Sequence, residues 1–147
     1  QANQRPLYSI NTGSILALRQ DLVIPPKAAR VYFQYGKQLT LADIDKYQAW
    51  CEFEIKTLSE NPQTVHAGNF PVTKFLNERT ALIDGAGFGS LTHALEEFSS
   101  TFYLQSATQP DVFRLSCLRR RGNRMQTYLS YNDMHAALGN VMTLELK

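Results

Sequence analysis

Two cysteines, Cys51 and Cys117, carry the chemistry that is easiest to place. Strand alternation puts Cys51 on one face with Phe53 and Ile55, and Cys117 on one face with Phe113 and Leu115. Both thiols therefore point to core faces of strands far apart in the chain. A disulfide closing so long a loop would stabilise the fold by roughly 3–5 kcal/mol, and it would require an oxidising compartment. The alternative is a pair of small buried hydrophobes that happen to be thiols. No C-x-x-C spacing exists, so thiol–disulfide catalysis has no motif to work from.

Other reactive side chains form looser patterns. Glu52 and Glu54 alternate on one strand face, roughly 7 Å apart by strand geometry. Such a carboxylate pair could do the acid–base work of a hydrolase, using Glu52 and Glu54 or His66 in a cleft. The competing reading is the wet face of an antiparallel strand, flanked by Lys56. His66, His93 and His135 are scattered, none within two to four residues of another His or a Cys, so no metal site is expected. No serine stands in a G-x-S-x-G elbow, and Gly85–Gly89 lacks the G-K-[ST] ending of a phosphate loop. No cofactor is expected.

Arg119, Arg120, Arg121 and Arg124 surround Gly122-Asn123, a hairpin turn signal. At a hairpin tip these arginines could touch lipid headgroups, anionic envelope polymers or a partner's acidic patch. Alternatively they are a solvated turn whose charge discourages edge-to-edge aggregation. Fifteen Lys+Arg against thirteen Asp+Glu leave only +2, and no basic stripe with interleaved aromatics extends the cluster, which argues against nucleic-acid binding. Phe88, Leu91, Leu95 and Phe98 recur at helical spacing behind Ser90. They read either as a short amphipathic helix or as a loop between two long strands, and they offer a second contact surface.

The elements that must position these residues alternate with period two. Segments 14–24, 29–35, 49–55, 64–66, 70–76, 101–105, 111–119, 125–129 and 141–146 read as strands, with a hairpin expected around Pro25–Ala28. Thr40-Leu41-Ala42-Asp43 and Ser130-Tyr131-Asn132-Asp133 fit capping boxes, the second opening a helix that Gly139 closes. The 147 residues, 44% hydrophobic and 19% charged, suit one domain. The fold expected is mainly β, an antiparallel sandwich or partly open barrel with one or two short helices. Residues 1–13 read as an N-terminal tether or extended arm and 14–147 as a single β-rich domain. The chain opens on Gln1, the start expected of a processed or trimmed chain, and no apolar run reaches the ~18–20 residues of a membrane helix.

Taken together, Ile24-Pro25-Pro26-Lys27-Ala28-Ala29-Arg30-Val31, Trp50-Cys51-Glu52-Phe53-Glu54, Pro110–Cys117 and Leu138-Gly139-Asn140-Val141 resemble a group of periplasmic proteins or lipoproteins of Gram-negative bacteria. The resemblance implies an exported β-rich domain, periplasmic or outer-membrane associated, and carries over no catalytic residue. The function expected is a non-enzymatic cell-envelope module that binds a protein or an envelope component, with a peripheral membrane tether through whatever precedes Gln1. Two alternatives stand beside it: the Glu52/Glu54 hydrolase and a structural subunit of an envelope assembly.

Overall fold

The computed structural model describes residues 12–82, 95–121 and 128–146. Among them are ten strands and one α-helix. The strands are β1 (Ile15–Leu18), β2 (Leu22–Ile24), β3 (Arg30–Gln34), β4 (Lys37–Leu39), β5 (Trp50–Ile55), β6 (Gln63–Val65), β7 (Gly68–Leu82), β8 (Leu95–Leu104), β9 (Val112–Arg121) and β10 (Met142–Glu145). Eight of them form one antiparallel sheet in the order β10-β1-β7-β8-β9-β5-β3-β4, curled into a half-barrel. The remaining two, β2 and β6, pair with each other. The partly open barrel is the architecture found. No helix of the described residues is long and apolar enough to cross a membrane.

Segment 14–24 looks continuous in sequence but splits into two strands. Exposed Arg19, Gln20 and Asp21 form a corner. The Asp21 carboxylate accepts from the Ala67 N–H at 2.9 Å, and the Arg19 N–H reaches the Val141 carbonyl at 2.9 Å. The hairpin expected around Pro25–Ala28 is accordingly absent. That turn carries the chain from the small sheet to the large one, where β3 pairs with β4 and β5 instead. The β3–β4 hairpin turns on Tyr35 (φ 57) and Gly36 (φ 77), the double positive-φ geometry that suits a two-residue turn.

Between Thr40 and Tyr47 the capping signal yields only a single 3-10 turn, Leu41–Asp43. The Thr40 hydroxyl bonds the Asp43 carboxylate at 3.0 Å rather than capping a backbone N–H. Leu95 and Phe98 belong to β8, not to a helix. Their cross-strand partners in β7 are Leu82 and Arg79. Segment 125–129 is not a return strand where it is described: Tyr128 and Leu129 are coil, and β9 already has β8 and β5 on its two sides. The turn at Gly122-Asn123 and residues 1–11 of the expected arm 1–13 lie outside the described residues, while the Gly13 N–H donates to the Val72 carbonyl at 3.0 Å.

The concave side of the sheet holds the core, with Phe33, Phe53, Phe70, Phe98, Phe102 and Leu115 fully buried. Helix α1 (Tyr131–Leu138) closes it with Met134, Ala137 and Leu138. A second cluster, Ile44, Trp50 and Leu118, lies on the outer face beneath the segment after β4. Gln34, fully buried, pins that segment by accepting from the Asp45 N–H at 2.9 Å and donating to the Asp45 carbonyl at 2.7 Å.

Helix α1 starts on a reciprocal capping box between Ser130 and Asp133 and ends at Gly139 (φ 57, ψ −132), whose N–H bonds the His135 carbonyl. Gly139 sits against the β3–β4 turn, where the Gly36 N–H also donates to the Ala137 carbonyl at 3.0 Å. A Cβ at Gly139 would come 2.8 Å from the Gly36 Cα. G139A combines a backbone region that only glycine occupies cheaply with a backbone clash, and should destabilise by about 2–4 kcal/mol. Urea denaturation measures it. G36N, at a position with more room and a conformation asparagine tolerates, should cost well under ~1 kcal/mol.

Candidate functional site

Strands β5 and β9 bring the cysteines together. Cys51 and Cys117 stand directly opposite in the register, form a disulfide with a Cα–Cα separation of 4.0 Å, and are both fully buried. The close approach belongs to a non-hydrogen-bonded antiparallel pair, in which side chains are nearest. The bond spans 66 residues and ties two interior strands of the large sheet. A disulfide of this kind points to an oxidising, exported compartment.

On the outer face of the same strands, Glu52 and Glu54 are held by arginines. Arg30 donates from Nη1 to Glu52 at 3.1 Å and lies 3.6 Å from Glu54 through Nη2. Glu52 also accepts from the Trp50 indole at 3.1 Å. Arg114 donates to Glu54 at 2.9 Å and to the Tyr103 hydroxyl at 3.3 Å, and its guanidinium lies over the Phe113 ring. Burial lowers the Arg114 guanidinium's affinity for its proton, but the bonds to Glu54 and Tyr103 outweigh it and hold the group above its ordinary value. Burial, reinforced by the Glu52 charge, pushes the Tyr32 phenol up. The carboxylates thus knit β3, β5 and β9 together across the sheet face.

His66 does not join them. It lies between β6 and β7, 3.4 Å from Asp21, and exchanges main-chain bonds with the Gln109 carboxamide. The Ala67 N–H, followed by the His66 side chain, holds the Asp21 carboxyl below the ordinary carboxylate range. Among the described residues no group of three or more His, Cys, Asp or Glu side chains could hold a metal ion.

Arg119, Arg120 and Arg121 end β9 in the sheet and do not stand on a turn, opposite Phe98, Glu97 and Glu96 respectively. Arg119 is 6% exposed and lies 3.2 Å from Asp133. Burial pulls its guanidinium below the ordinary arginine value, Asp133 opposes that, and Arg121 adds to it. Arg120 is on the outer face, bonded to Glu97 at 3.1 Å. Phe98 is fully buried and meets Tyr128 edge-on. Arg119 and Phe98 are therefore interior groups, not contact-surface groups: their positions on the concave side of β8 and β9 turn them toward the helix. Leu95, half-buried, pairs with Leu82. Arg124, Phe88 and Leu91 lie outside the described residues.

A groove that residue types did not announce opens beside β4. It has a volume of about 380 Å³, within the range of ligand sites. The Pro25–Ala28 turn forms one wall and Leu39, Thr40 and Leu41 the other, with Arg30, Val31 and Tyr32 as the floor. Leu41 and Val23 are among the most exposed large apolar side chains, and the Gln38 carboxamide reaches the Val23 carbonyl at 3.3 Å. The chain matches no protein-family model, no curated protein and no solved structure.

The groove exists because β4 is shorter than β3. After Leu39 the chain leaves the sheet, so the first residues of β3 have no neighbour on that side. The sequence signal that could have located it is the short distance from Gly36-Lys37 to the capping residue Thr40, which allows a strand of only three residues.

Proposed function

We propose that this chain is a non-enzymatic binding module of the bacterial periplasm or of the outer membrane's periplasmic face, and that its partner is a protein. The observation that carries the reading is the groove between the Pro25–Ala28 turn and Leu39–Leu41: an open cleft, walled mainly by apolar side chains, at the edge of a disulfide-tied sheet. Clefts with apolar walls and a few fixed polar groups are where proteins take ligands, and sheet edges are where they add partner strands. The buried disulfide supports export, and the envelope is the part of the proposal that the motif resemblance in the sequence suggests.

Photo-crosslinking tests this in a Gram-negative bacterium that exports the chain to its periplasm. A photoreactive residue at Leu41 should give a discrete adduct with an envelope protein, and the same residue at Glu60, exposed and outside the groove lining, should not. The adduct should disappear when L39E places a charge in the groove wall. Equal adducts from both positions, or none from Leu41, would count against the reading.

A further inference from the structure

Resting on that reading, we infer that the groove takes an extended, acidic segment of the partner protein as an added strand beside Arg30. The hydrogen-bond alternation of β3 carries the inference. Gln34 and Lys37 flank the two-residue turn and so exchange both main-chain bonds. Alternation makes Tyr32 and Leu39 the next bonded pair. Arg30 is next in line, but the chain has left β4 and turned into Leu41–Asp43 before it can meet Arg30.

On the other side of β3 the bond from the Ile55 N–H to the Ala29 carbonyl, at 2.8 Å, shows that odd-numbered residues face β5. The main-chain N–H and C=O of Arg30 therefore face the groove. Among the described residues neither has a backbone partner. Such a pair of unused main-chain groups is what an added strand satisfies. Pro25, Ala28, Val31, Leu39 and Leu41 supply the apolar contacts for its side chains.

Charge fixes the class of segment. The Arg30 guanidinium is held by Glu52 and Glu54. Lys27, in the turn that forms one wall, and Lys37, first residue of the strand leading to the other, are exposed and in no ion pair among the described residues. Near the same wall Asp43, exposed and in no ion pair among the described residues, accepts from the Thr40 hydroxyl. The two lysines beside the cleft therefore leave its surroundings net positive by one charge, which complements a segment that alternates acidic and apolar residues. The same lysines oppose filling the groove with a second copy of this edge, since like charges would meet across it.

The test titrates the isotopically labelled chain with a short capped peptide alternating glutamate and valine, followed by amide chemical shifts and hydrogen exchange. Shifts should concentrate at Arg30, Val31, Leu39 and Leu41, with new protection at the Arg30 amide. The lysine–valine counterpart should bind at least tenfold more weakly. K27E/K37E should reverse that preference. A glutamate–valine peptide N-methylated on alternate residues should lose binding, because it keeps the side chains but not the strand bonds.

Equal affinity for the lysine or the N-methylated peptide would overturn the inference, as would no shifts at millimolar peptide. Shifts at the same amides on concentrating the chain alone would overturn it in favour of self-association. If the Leu41 adduct forms while the peptide does not bind, the binding-module reading stands and the added strand falls.

Discussion

C51A/C117A is expected to lose about 4 kcal/mol of stability, the loop-closure entropy that a cross-link spanning 66 residues removes from the unfolded chain. For a chain of this length that corresponds to a fall in Tm of about 10 °C. The bond sits between β5 and β9 near the middle of the eight-stranded sheet, with both sulfurs fully buried. Its removal therefore weakens the pairing on which β3, β4 and the groove depend. Thermal and urea denaturation of the double variant, with and without reductant, read the effect. Reductant should lower the stability of the native chain to that of the variant and leave the variant unchanged. Two further readouts follow from burial. Thiol reagents should find no free cysteine in the exported native protein, and reduction should be slow until denaturant opens the sheet. A double variant within ~1 kcal/mol of the native chain would show that the bond adds little beyond the packing already in place.

What the sequence made legible was local. Segments 49–55 and 111–119 declare themselves because each is half-buried, and the parity that places Cys51 with Phe53 and Cys117 with Leu115 is the parity the sheet uses. It fails at Phe113, where a bulge opposite Glu54 and Ile55 puts Val112 in the core instead and leaves Phe113 against Tyr103 and Arg114. The capping box at Ser130 and the stop at Gly139 are equally local, and both are found. What stayed hidden depends on partners distant in the chain. Arg119–Arg121 look like a solvated turn until Glu97, from β8, and Asp133, from α1, stand beside them.

The three-residue spacing of Leu95 and Phe98 suits a helix, whereas in a strand it sets the two on opposite faces. Only the long pairing with β7 decides it, burying Phe98 and leaving Leu95 half-exposed. The break at Arg19–Asp21 is set by Ala67 and Val141, neither of which is near it in sequence. The groove is hardest of all to read in advance, since it follows from where β4 stops relative to β3 and not from any residue type.

The second large effect concerns Asp133. Its carboxylate accepts from the Ser130 N–H at 2.8 Å, completing the cap of α1, and lies 3.2 Å from the buried Arg119 guanidinium. D133A removes both at once and leaves a cation in a site that stays almost closed to water. Breaking a buried pair from one side costs about 3–5 kcal/mol, and losing the cap adds about 1 kcal/mol more. Asp133 itself keeps 28% of its side chain exposed, which places the pair at the lower end of its range and the expected total near ~4 kcal/mol.

R119M should behave oppositely. It removes the buried charge, fills much of the same volume with an apolar side chain and leaves Asp133 to its capping role, so stability should change by less than ~1 kcal/mol or rise. R119M/D133A should then recover most of what D133A alone loses, because the remaining cost is the cap. Urea denaturation of the three variants separates the terms. If R119M proves as damaging as D133A, the arginine's other contacts hold the helix to the sheet and the ion pair is incidental. If D133A is mild, the guanidinium finds water at the end of β9 and the interior is more open there than its 6% exposure implies.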